Sequence, residues 1–139
     1  MFLLDTNIVS ALMSVEFPPP LAGWRAGTPA RFLYTATICQ AEILAGIALL
    51  PEGRRKTALA AAARALFGES FRGKIWSFDE PASAAYAEIF AGRRQAGRHA
   101  EPNDLMIAAI ALSRDASVVT RNVRDFDGCG VAVINPWEE

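Results

Sequence analysis

Three acidic residues of this sequence lie beside apolar stretches, where an ionised carboxylate is energetically costly. Asp5 directly follows the apolar run 2–4, Glu42 interrupts the apolar stretch 38–50, and Asp104 abuts an apolar run that begins at residue 105. If they converge, two of these carboxylates about 4 Å apart repel each other by roughly 4 kcal/mol at an effective dielectric near 20. A cation must then be bound, and oxygen ligands without His or Cys select a hard ion, Mg²⁺ or Mn²⁺.

A hard cation in an open carboxylate site supports phosphodiester hydrolysis. Such an ion lowers the pKa of a bound water and neutralises charge on a phosphodiester oxygen, and both effects serve in-line hydrolysis. We therefore expect the nucleophile to be water rather than a Ser, Cys or His of the protein. The single histidine, His99, lies in a polar stretch that is typical of a solvated loop.

Each acidic residue also has a purely structural interpretation. Asp5 is a suitable cap for the helix that follows it, and Asp104 suits the first turn of its helix, where a negative charge complements the helix dipole. Glu42 is harder to explain in this way, because its apolar neighbours require it to find a partner or to face a polar cavity. Asn122 alone is typical of a turn.

The elements that position these residues alternate between strands and helices. Apolar and β-branched runs predict short strands at residues 2–4, 32–34, 74–78, 117–119 and 131–134. Periodicity and capping residues predict helices at residues 8–13, 21–25, 37–50, 54–67, 81–95 and 105–113, of which 37–50 is expected to be mostly buried. This alternation is typical of a parallel α/β sheet with helices on both faces. Ligand sites of such sheets lie at the carboxyl ends of the strands, where Asp5 and Asn122 are expected.

Composition narrows the class of protein further. The 139 residues suit one domain, 1–139, and 52% hydrophobic residues exclude intrinsic disorder. A net charge of −1 excludes a broad basic surface for nucleic acid, although local patches remain open. Cys39 and Cys129 are too far apart for a CxxC motif, which fits a reducing cytoplasm. The first residues lack the basic leader of a signal peptide, and apolar runs are far shorter than the ~20 residues that span a membrane.

Four blocks of residues run the length of the chain: LLDTN at 3–7, AEILAG at 41–46, NDLMIAA at 103–109 and VTRNVRDF at 119–126. In this order they resemble the PIN domain, in particular the VapC-type toxins of bacterial toxin–antitoxin pairs. The resemblance implies a three-layer α/β/α fold around a central, mainly parallel sheet of about five short strands. It also implies a cytoplasmic, magnesium-dependent endoribonuclease that cleaves RNAs involved in translation and so inhibits it, with Mn²⁺ able to substitute for Mg²⁺.

Carried over by position, the family's acidic site corresponds to Asp5, Glu42 and Asp104. The resemblance makes Asp5 and Asp104 the most direct metal ligands and assigns Glu42 to the metal through water or to orienting the attacking water. Many members have an aspartate where this chain has Asn122. The amide carbonyl still accepts a water or metal contact without adding charge. We expect Asn122 to be the polar neighbour of the acidic residues. Asp125 either substitutes for it at the fourth position or supports the metal ligands without touching the metal.

Polar residues next to these acids suggest supporting roles. The hydroxyls of Thr6 and Thr120 suit donors that fix carboxylate rotamers, although turn capping explains them equally well. Arg121 and Arg124 flank the predicted site and suit contacts with RNA phosphates, and further arginines are available at residues 93, 94 and 98. A solvated surface is the simpler explanation for any one of them.

The resemblance also implies partners. These are a cognate VapB-like antitoxin lying in a groove over the active site, operator DNA contacted through that antitoxin, and a second toxin copy in a homodimer. Candidate contact surfaces are the segment 17–24 and the helices carrying Glu42 and residues 60–66. Two alternatives remain at this stage: a catalytically weak PIN-like module acting through its antitoxin and DNA, and a magnesium-dependent phosphatase. A phosphoaspartate phosphatase would need a second aspartate two residues after Asp5, where this chain has Asn7.

Overall fold

A five-stranded parallel sheet forms the centre of the molecule. The computed structural model describes residues 1–14 and 17–138. The strands are paired in the order β3-β2-β1-β4-β5, and all four pairings are parallel. Their bounds are β1 Phe2–Leu4, β2 Leu33–Ala36, β3 Ile75–Trp76, β4 Ser117–Val119 and β5 Val133–Ile134. Because the strands are parallel, their carboxyl ends meet at one edge of the sheet, and this edge carries the site described below.

Within the described residues, six α-helices connect the strands. They are α1 Thr6–Leu12, α2 Pro19–Ala26, α3 Thr37–Ala48, α4 Arg54–Ala65, α5 Glu80–Gln95 and α6 Pro102–Ser113. Helices α1 and α3 begin immediately after the strands β1 and β2, so the sheet edge is also lined by helix amino ends. No helix in the described ranges is both long enough and apolar enough to cross a membrane.

Two hydrophobic cores lie on opposite faces of the sheet. Successive side chains of a strand point to opposite faces, and both central strands follow this rule. Leu3 and Val118 belong to a core with α5 and α6, whereas Leu4 and Val119 belong to a core with α1, α3 and α4. All four of these side chains are fully buried. The expected α/β fold with three layers and about five parallel strands is therefore confirmed.

One prediction about a helix was wrong. Helix α3 was expected to be mostly buried because nearly all its residues are apolar, yet only Cys39 and Ile43 are buried. Leu44 is 47% exposed, and Leu49, just beyond the helix, is 87% exposed. An apolar composition on all sides of a helix cannot indicate which side the rest of the chain covers, and here one side is left uncovered.

The strand and helix bounds differ from the predictions by a few residues. Phe32 belongs to a 3-10 turn, Ala30–Phe32, and β2 instead continues to Ala36, where it pairs with Trp76. The predicted strands 74–78 and 131–134 are reduced to two residues each, because only those residues are paired with a neighbouring strand. The predicted helix 54–67 ends at Ala65 and continues as a π-helical turn, Leu66–Ser70.

Candidate active site

The candidate site lies where the central strands β1 and β4 end. Asp5 is the first residue after β1, and Thr120 is the first after β4. The two strands are paired, and the backbone N–H of Asp5 donates to the carbonyl of Val119 at 2.9 Å. Side chains that are distant in sequence are therefore brought side by side by the sheet itself.

Asp5 is a buried carboxylate held by three donors. It is 4% exposed. Its Oδ1 accepts from the backbone N–H of Thr6 at 2.8 Å, and its Oδ2 accepts from Oγ1 of Thr120 at 2.8 Å and from Nδ2 of Asn7 at 3.2 Å. Burial raises the pKa of Asp5, and this effect outweighs the hydrogen bonds that lower it. Asp5 caps α1 as its structural interpretation predicts, but capping alone does not explain this burial and this set of donors.

A small hydrogen-bond network fixes the orientation of Asp5. Thr120 is fully buried, and its Oγ1 accepts from Nδ2 of Asn7 at 3.2 Å and from the backbone N–H of Asn122 at 3.0 Å. The carbonyl oxygen of the Asn7 side chain accepts from the backbone N–H of Arg121 at 3.2 Å. Asn7 thus links the turn after β1 to the turn after β4. Sequence reasoning did not assign this role to Asn7, although its place in the DTN triplet was a usable signal.

Glu42 approaches the same place from α3. Its Oε1 accepts from Oγ1 of Thr6 at 3.2 Å, so Thr6 lies between Asp5 and Glu42. Partial burial raises the pKa of Glu42, and the charge of Asp5 raises it further. Glu42 also lines a cavity of about 420 Å³ with Thr6, Ser10 and Arg55. Of the two expected outcomes, a partner or a polar cavity, Glu42 has the partner, Thr6. The cavity is lined by both polar and apolar side chains, and Glu42 itself is exposed rather than enclosed by its apolar sequence neighbours.

Asp104 lies in the first turn of α6 and has the most perturbed carboxyl of the site. Burial and the neighbouring acids raise its pKa from 3.8 to about 6. The contributing charges, in decreasing order, are those of Asp5, Asp125, Glu42 and Glu101. Asp5, Glu42 and Asp104 therefore share one electrostatic field, as a converging acidic site requires.

The two candidates for the fourth position occupy different places. Asn122 is exposed and contacts the network through its backbone N–H. Asp125 lies in a 3-10 turn, Val123–Phe126, and its charge raises the pKa values of both Asp5 and Asp104. Asp125 thus supplies the additional negative charge, and Asn122 supplies a neutral polar group beside the buried Thr120.

The nearby arginines leave the carboxylates without a counter-charge. Four ion pairs form within residues 1–14 and 17–138, and none of them includes Asp5, Glu42 or Asp104. Arg121 stacks over the ring of Trp137, with 4.4 Å from its Cζ to the ring centroid. Arg124 lines a separate cavity together with Asp125. The negative charge at the sheet edge is therefore not neutralised by the described side chains.

The donor set suits a hydrated divalent cation. Among the described residues, no group of three His, Cys, Asp or Glu side chains is close enough to hold a metal ion by direct ligation alone. Mg²⁺ retains several waters and uses only one or two carboxylates directly, so it does not need such a cage. The charge accumulated here matches this kind of ion.

Comparisons with known proteins agree on one family. The family model described as PIN domain matches residues 2–128. The chain is 40% identical over 138 residues to plasmid stability protein StbB of Pseudomonas syringae pv. tomato, and 32% identical over 138 residues to VapC ribonuclease Y4jK of Sinorhizobium fredii. Each alignment covers 99% of both chains. Toxin FitB of Neisseria gonorrhoeae is 33% identical over 139 residues, with both chains covered completely.

A solved structure extends this likeness to the fold. FitAB bound to an IR36 DNA fragment contains a chain that is 33% identical, with a TM-score of 0.92, and the match covers 100% of this chain and 97% of that one. A match over the full length shows that the two chains share one fold.

Proposed function

The chain belongs to the PIN domain family, among the toxins of VapBC-type toxin–antitoxin systems, and we propose that it is a magnesium-dependent endoribonuclease that inhibits translation. The observation that carries the proposal is the convergence of Asp5, Glu42 and Asp104 at one sheet edge without a neutralising side chain. A relative that is named a ribonuclease and matches over 99% of its length supports the choice of reaction. RNA substrates would place the activity in the cytoplasm.

Each residue has a distinct task in this proposal. Asp5 and Asp104 would hold Mg²⁺, or Mn²⁺ in its place, and Glu42 would contact the ion through water or orient the attacking water. When bound, the ion supplies a Lewis acid that lowers the pKa of water and neutralises developing charge on the phosphodiester. Thr120 and Asn7 keep the Asp5 carboxylate in one rotamer, and Thr6 does the same for Glu42.

The fourth position adjusts the charge of the site. We assign to Asp125 an additional negative charge near Asp5 and Asp104, and to Asn122 an uncharged contact with water or substrate. Arg121 and Arg124 are assigned to RNA phosphates, with Arg124 the better placed of the two because Arg121 already stacks on Trp137.

The alternative function, a module that acts mainly through antitoxin and operator DNA, is favoured only by the missing charge at Asn122. Calorimetry that detects no Mg²⁺ binding, together with tight antitoxin binding, would select that alternative.

The decisive experiment is RNA cleavage by the parent chain and by Asp104→Asn. We expect the parent to cut RNA in Mg²⁺ or Mn²⁺ and to stop in EDTA, and the variant to lose at least about 100-fold in rate. Asp115→Asn is a matched control, because Asp115 lies just beyond the opposite end of α6 and already has the left-handed φ of 55° that asparagine tolerates. Equal cleavage by the parent and by Asp104→Asn would refute the acidic site.

We further propose an antitoxin partner and a second copy of the chain. The uncovered side of α3 is apolar, and α3 and α4 border a cavity of about 390 Å³ lined by Leu44, Ile47 and Phe67 among others. Large apolar side chains left in water are typical of protein interfaces. Of the segment 17–24, Leu21 is in the core, whereas Phe17 is 39% exposed and available for contact. Operator DNA would be contacted through the antitoxin.

A further inference from the structure

A second polar cavity adjoins the acidic site and has the opposite character. It has a volume of about 460 Å³ and is lined by Arg93, Arg98, His99, Arg124, Asp125 and Asp127; these residues are called the basic cleft below. The cleft lies between the segment that leads into α6, which carries Asp104, and the turn after β4, which carries Asp125. Asp125 lines the cleft and donates its backbone N–H to the carbonyl of Asn122, and the backbone N–H of Asn122 donates to Thr120, whose hydroxyl donates to Asp5. One turn therefore carries residues of both sites.

Arg93 supplies a buried cation to the basic cleft. It is 6% exposed, and its guanidinium donates to the carbonyl oxygens of Asp127 and His99, the latter at 3.0 Å. Within the described residues, Arg93 forms no ion pair, and its Nε has no hydrogen-bond partner. The guanidinium also donates to Sγ of Cys129 at 3.9 Å. A buried charge that meets only neutral carbonyl and thiol groups remains incompletely compensated. An anion entering the cleft would complete that compensation.

Two exposed arginines complete the positive wall. Arg124 forms no ion pair in the part of the chain that the structure describes. Arg98 pairs with Asp127 at 2.9 Å, but the side chains of the two residues are 49% and 63% exposed, so water and ions can compete for this pair. The three arginines outnumber Asp125 and Asp127, which leaves a local excess of positive charge in a concave surface.

We propose that the basic cleft binds a backbone phosphate of the RNA strand next to the phosphodiester that lies at the acidic site. This inference rests on the proposed function, because it assumes an RNA substrate at the carboxylates. Arginine forks bind phosphate oxygens in pairs, and the exposed Arg98 and Arg124 offer two such forks at the cavity. Buried Arg93, whose two Nη atoms already donate to backbone carbonyls, adds positive charge to the wall of the cavity. The cleft then attracts the strand that the carboxylates alone would repel, and it fixes the strand's position relative to Asp104.

Binding of a labelled RNA tests the cleft separately from cleavage. The probe is a fluorescein-labelled 12-nucleotide single-stranded RNA, followed by anisotropy over a range of salt concentrations, with all variants in an Asp104→Asn background to suppress cutting. Arg124→Gln should raise Kd about 3- to 10-fold and reduce the slope of log Kd against log salt by about 0.7, the value for one lost phosphate contact on a single strand. Arg72→Gln is the matched control, because exposed Arg72 precedes β3 at the opposite edge of the sheet, and it should change neither quantity.

A second variant, Asp127→Asn, is expected to strengthen RNA binding. Asp127→Asn keeps the backbone carbonyl that Arg93 uses but removes the negative charge that holds Arg98. We expect RNA to bind at least about twofold more tightly, which mere damage to the structure would not produce. An unchanged Kd and salt slope for both Arg124→Gln and Asp127→Asn would overturn the proposal.

Failure of the cleft and failure of the nuclease assignment give different results. If the unsubstituted chain, which retains Asp104, cuts RNA but the cleft variants bind RNA with unchanged Kd and salt slope, the proposed function stands and the cleft is not a phosphate site. If the cleft variants shift binding as expected but the parent cuts nothing in Mg²⁺ or Mn²⁺, the cleft binds RNA and the nuclease assignment is wrong.

Discussion

Two aspartates of this molecule have the same local role and opposite surroundings. Asp5 follows β1 and caps α1, and Asp79 follows β3 and caps α5. Each accepts a hydrogen bond from a backbone N–H of its helix, Asp5 from Thr6 at 2.8 Å and Asp79 from Ala82 at 3.2 Å. Burial raises the pKa of Asp5, whereas the hydrogen bond from Arg114, at 2.9 Å, holds the pKa of Asp79 below its ordinary value.

The difference shows that helix capping does not distinguish a structural carboxylate from a functional one. Asp79 has a cation beside it and is half-exposed, so its charge is compensated where it stands. Asp5 is buried, its donors are neutral, and its charged neighbours are acids. A carboxylate whose charge the described side chains leave uncompensated is suited to bind an external cation. A carboxylate that is already paired with an arginine instead stabilises the folded chain.

The largest expected effect is the loss of cleavage in Asp5→Asn compared with Asp79→Asn. Asparagine caps a helix about as well as aspartate, so both variants keep the cap and lose the charge. Each variant also replaces one acceptor oxygen by an NH2 donor, which at Asp5 faces Asn7 and Thr120 and at Asp79 faces Arg114. We expect Asp5→Asn to reduce the initial rate of RNA cleavage in Mg²⁺ by at least about 100-fold, because a direct ligand of the ion is neutralised. Asp79→Asn should cleave within about twofold of the parent.

The comparison fails if the two variants behave alike. Equal cleavage by both would mean that the buried charge of Asp5 has no part in the reaction. A loss of cleavage in both, with circular dichroism unchanged, would mean that the distinction between paired and unpaired carboxylates does not separate structure from function in this chain.

A smaller effect is expected from the hydroxyl that orients Asp5. Thr120→Val preserves the shape of the side chain and removes the donor to Oδ2 of Asp5, so we expect cleavage to fall roughly tenfold. Thr35→Val is its matched control, since Thr35 is also fully buried but donates to the carbonyl of Leu4 at 2.9 Å rather than to an acid. Each variant should lose about 1–2 kcal/mol of unfolding free energy, because a buried acceptor loses its partner.

Comparing rates per folded molecule separates the two threonines. The unfolding free energy comes from urea titration, and the cleavage rate is corrected for the folded fraction. If Thr35→Val loses as much cleavage as Thr120→Val, the role of Thr120 is only structural.

The sequence predicted those parts of the site that depend on strand ends. Strand ends followed by polar residues predicted Asp5 and Asn122 at the same sheet edge, and the confirmed parallel pairing of β1 with β4 brings the two turns together. The side chain that contacts Asp5 there is that of Thr120, whereas Asn122 joins the network through its backbone N–H. The metal and RNA roles of these residues remain predictions. The exposure of Leu44 was missed, because an all-apolar helix does not indicate which of its sides is covered. The contacts of Asn7 and the ring stacking of Arg121 were also missed, because both depend on turn geometry between distant segments.

The smallest expected effect is a change in stability on neutralising a carboxylate. It has opposite signs at Asp104, which is repelled by other acids, and at Asp79, which is paired with an arginine. The pKa of Asp104 is about 6 in the folded chain and near 3.8 when unfolded, so the folded chain binds more protons between these values. Its stability without metal therefore decreases as the pH rises from about 4 to about 6 and stays lower above that. We expect Asp104→Asn in EDTA at pH 7 to gain roughly 1 kcal/mol, allowing for solvent screening at a half-exposed group, or a few degrees in Tm.

Asp79→Asn should shift Tm the other way, because the lowered pKa of Asp79 stabilises the folded chain above its ordinary pKa and this contribution is lost as the pH falls. Thermal melts of the parent and both variants at pH 4 and pH 7 test this, and the gain in Asp104→Asn should vanish at pH 4. Adding Mg²⁺ at pH 7 should stabilise the parent more than Asp104→Asn, because an ion that binds only the folded chain shifts unfolding by mass action. A gain in Asp104→Asn that is equally large at both pH values and unaffected by Mg²⁺ would show that repulsion among the site acids is not its cause.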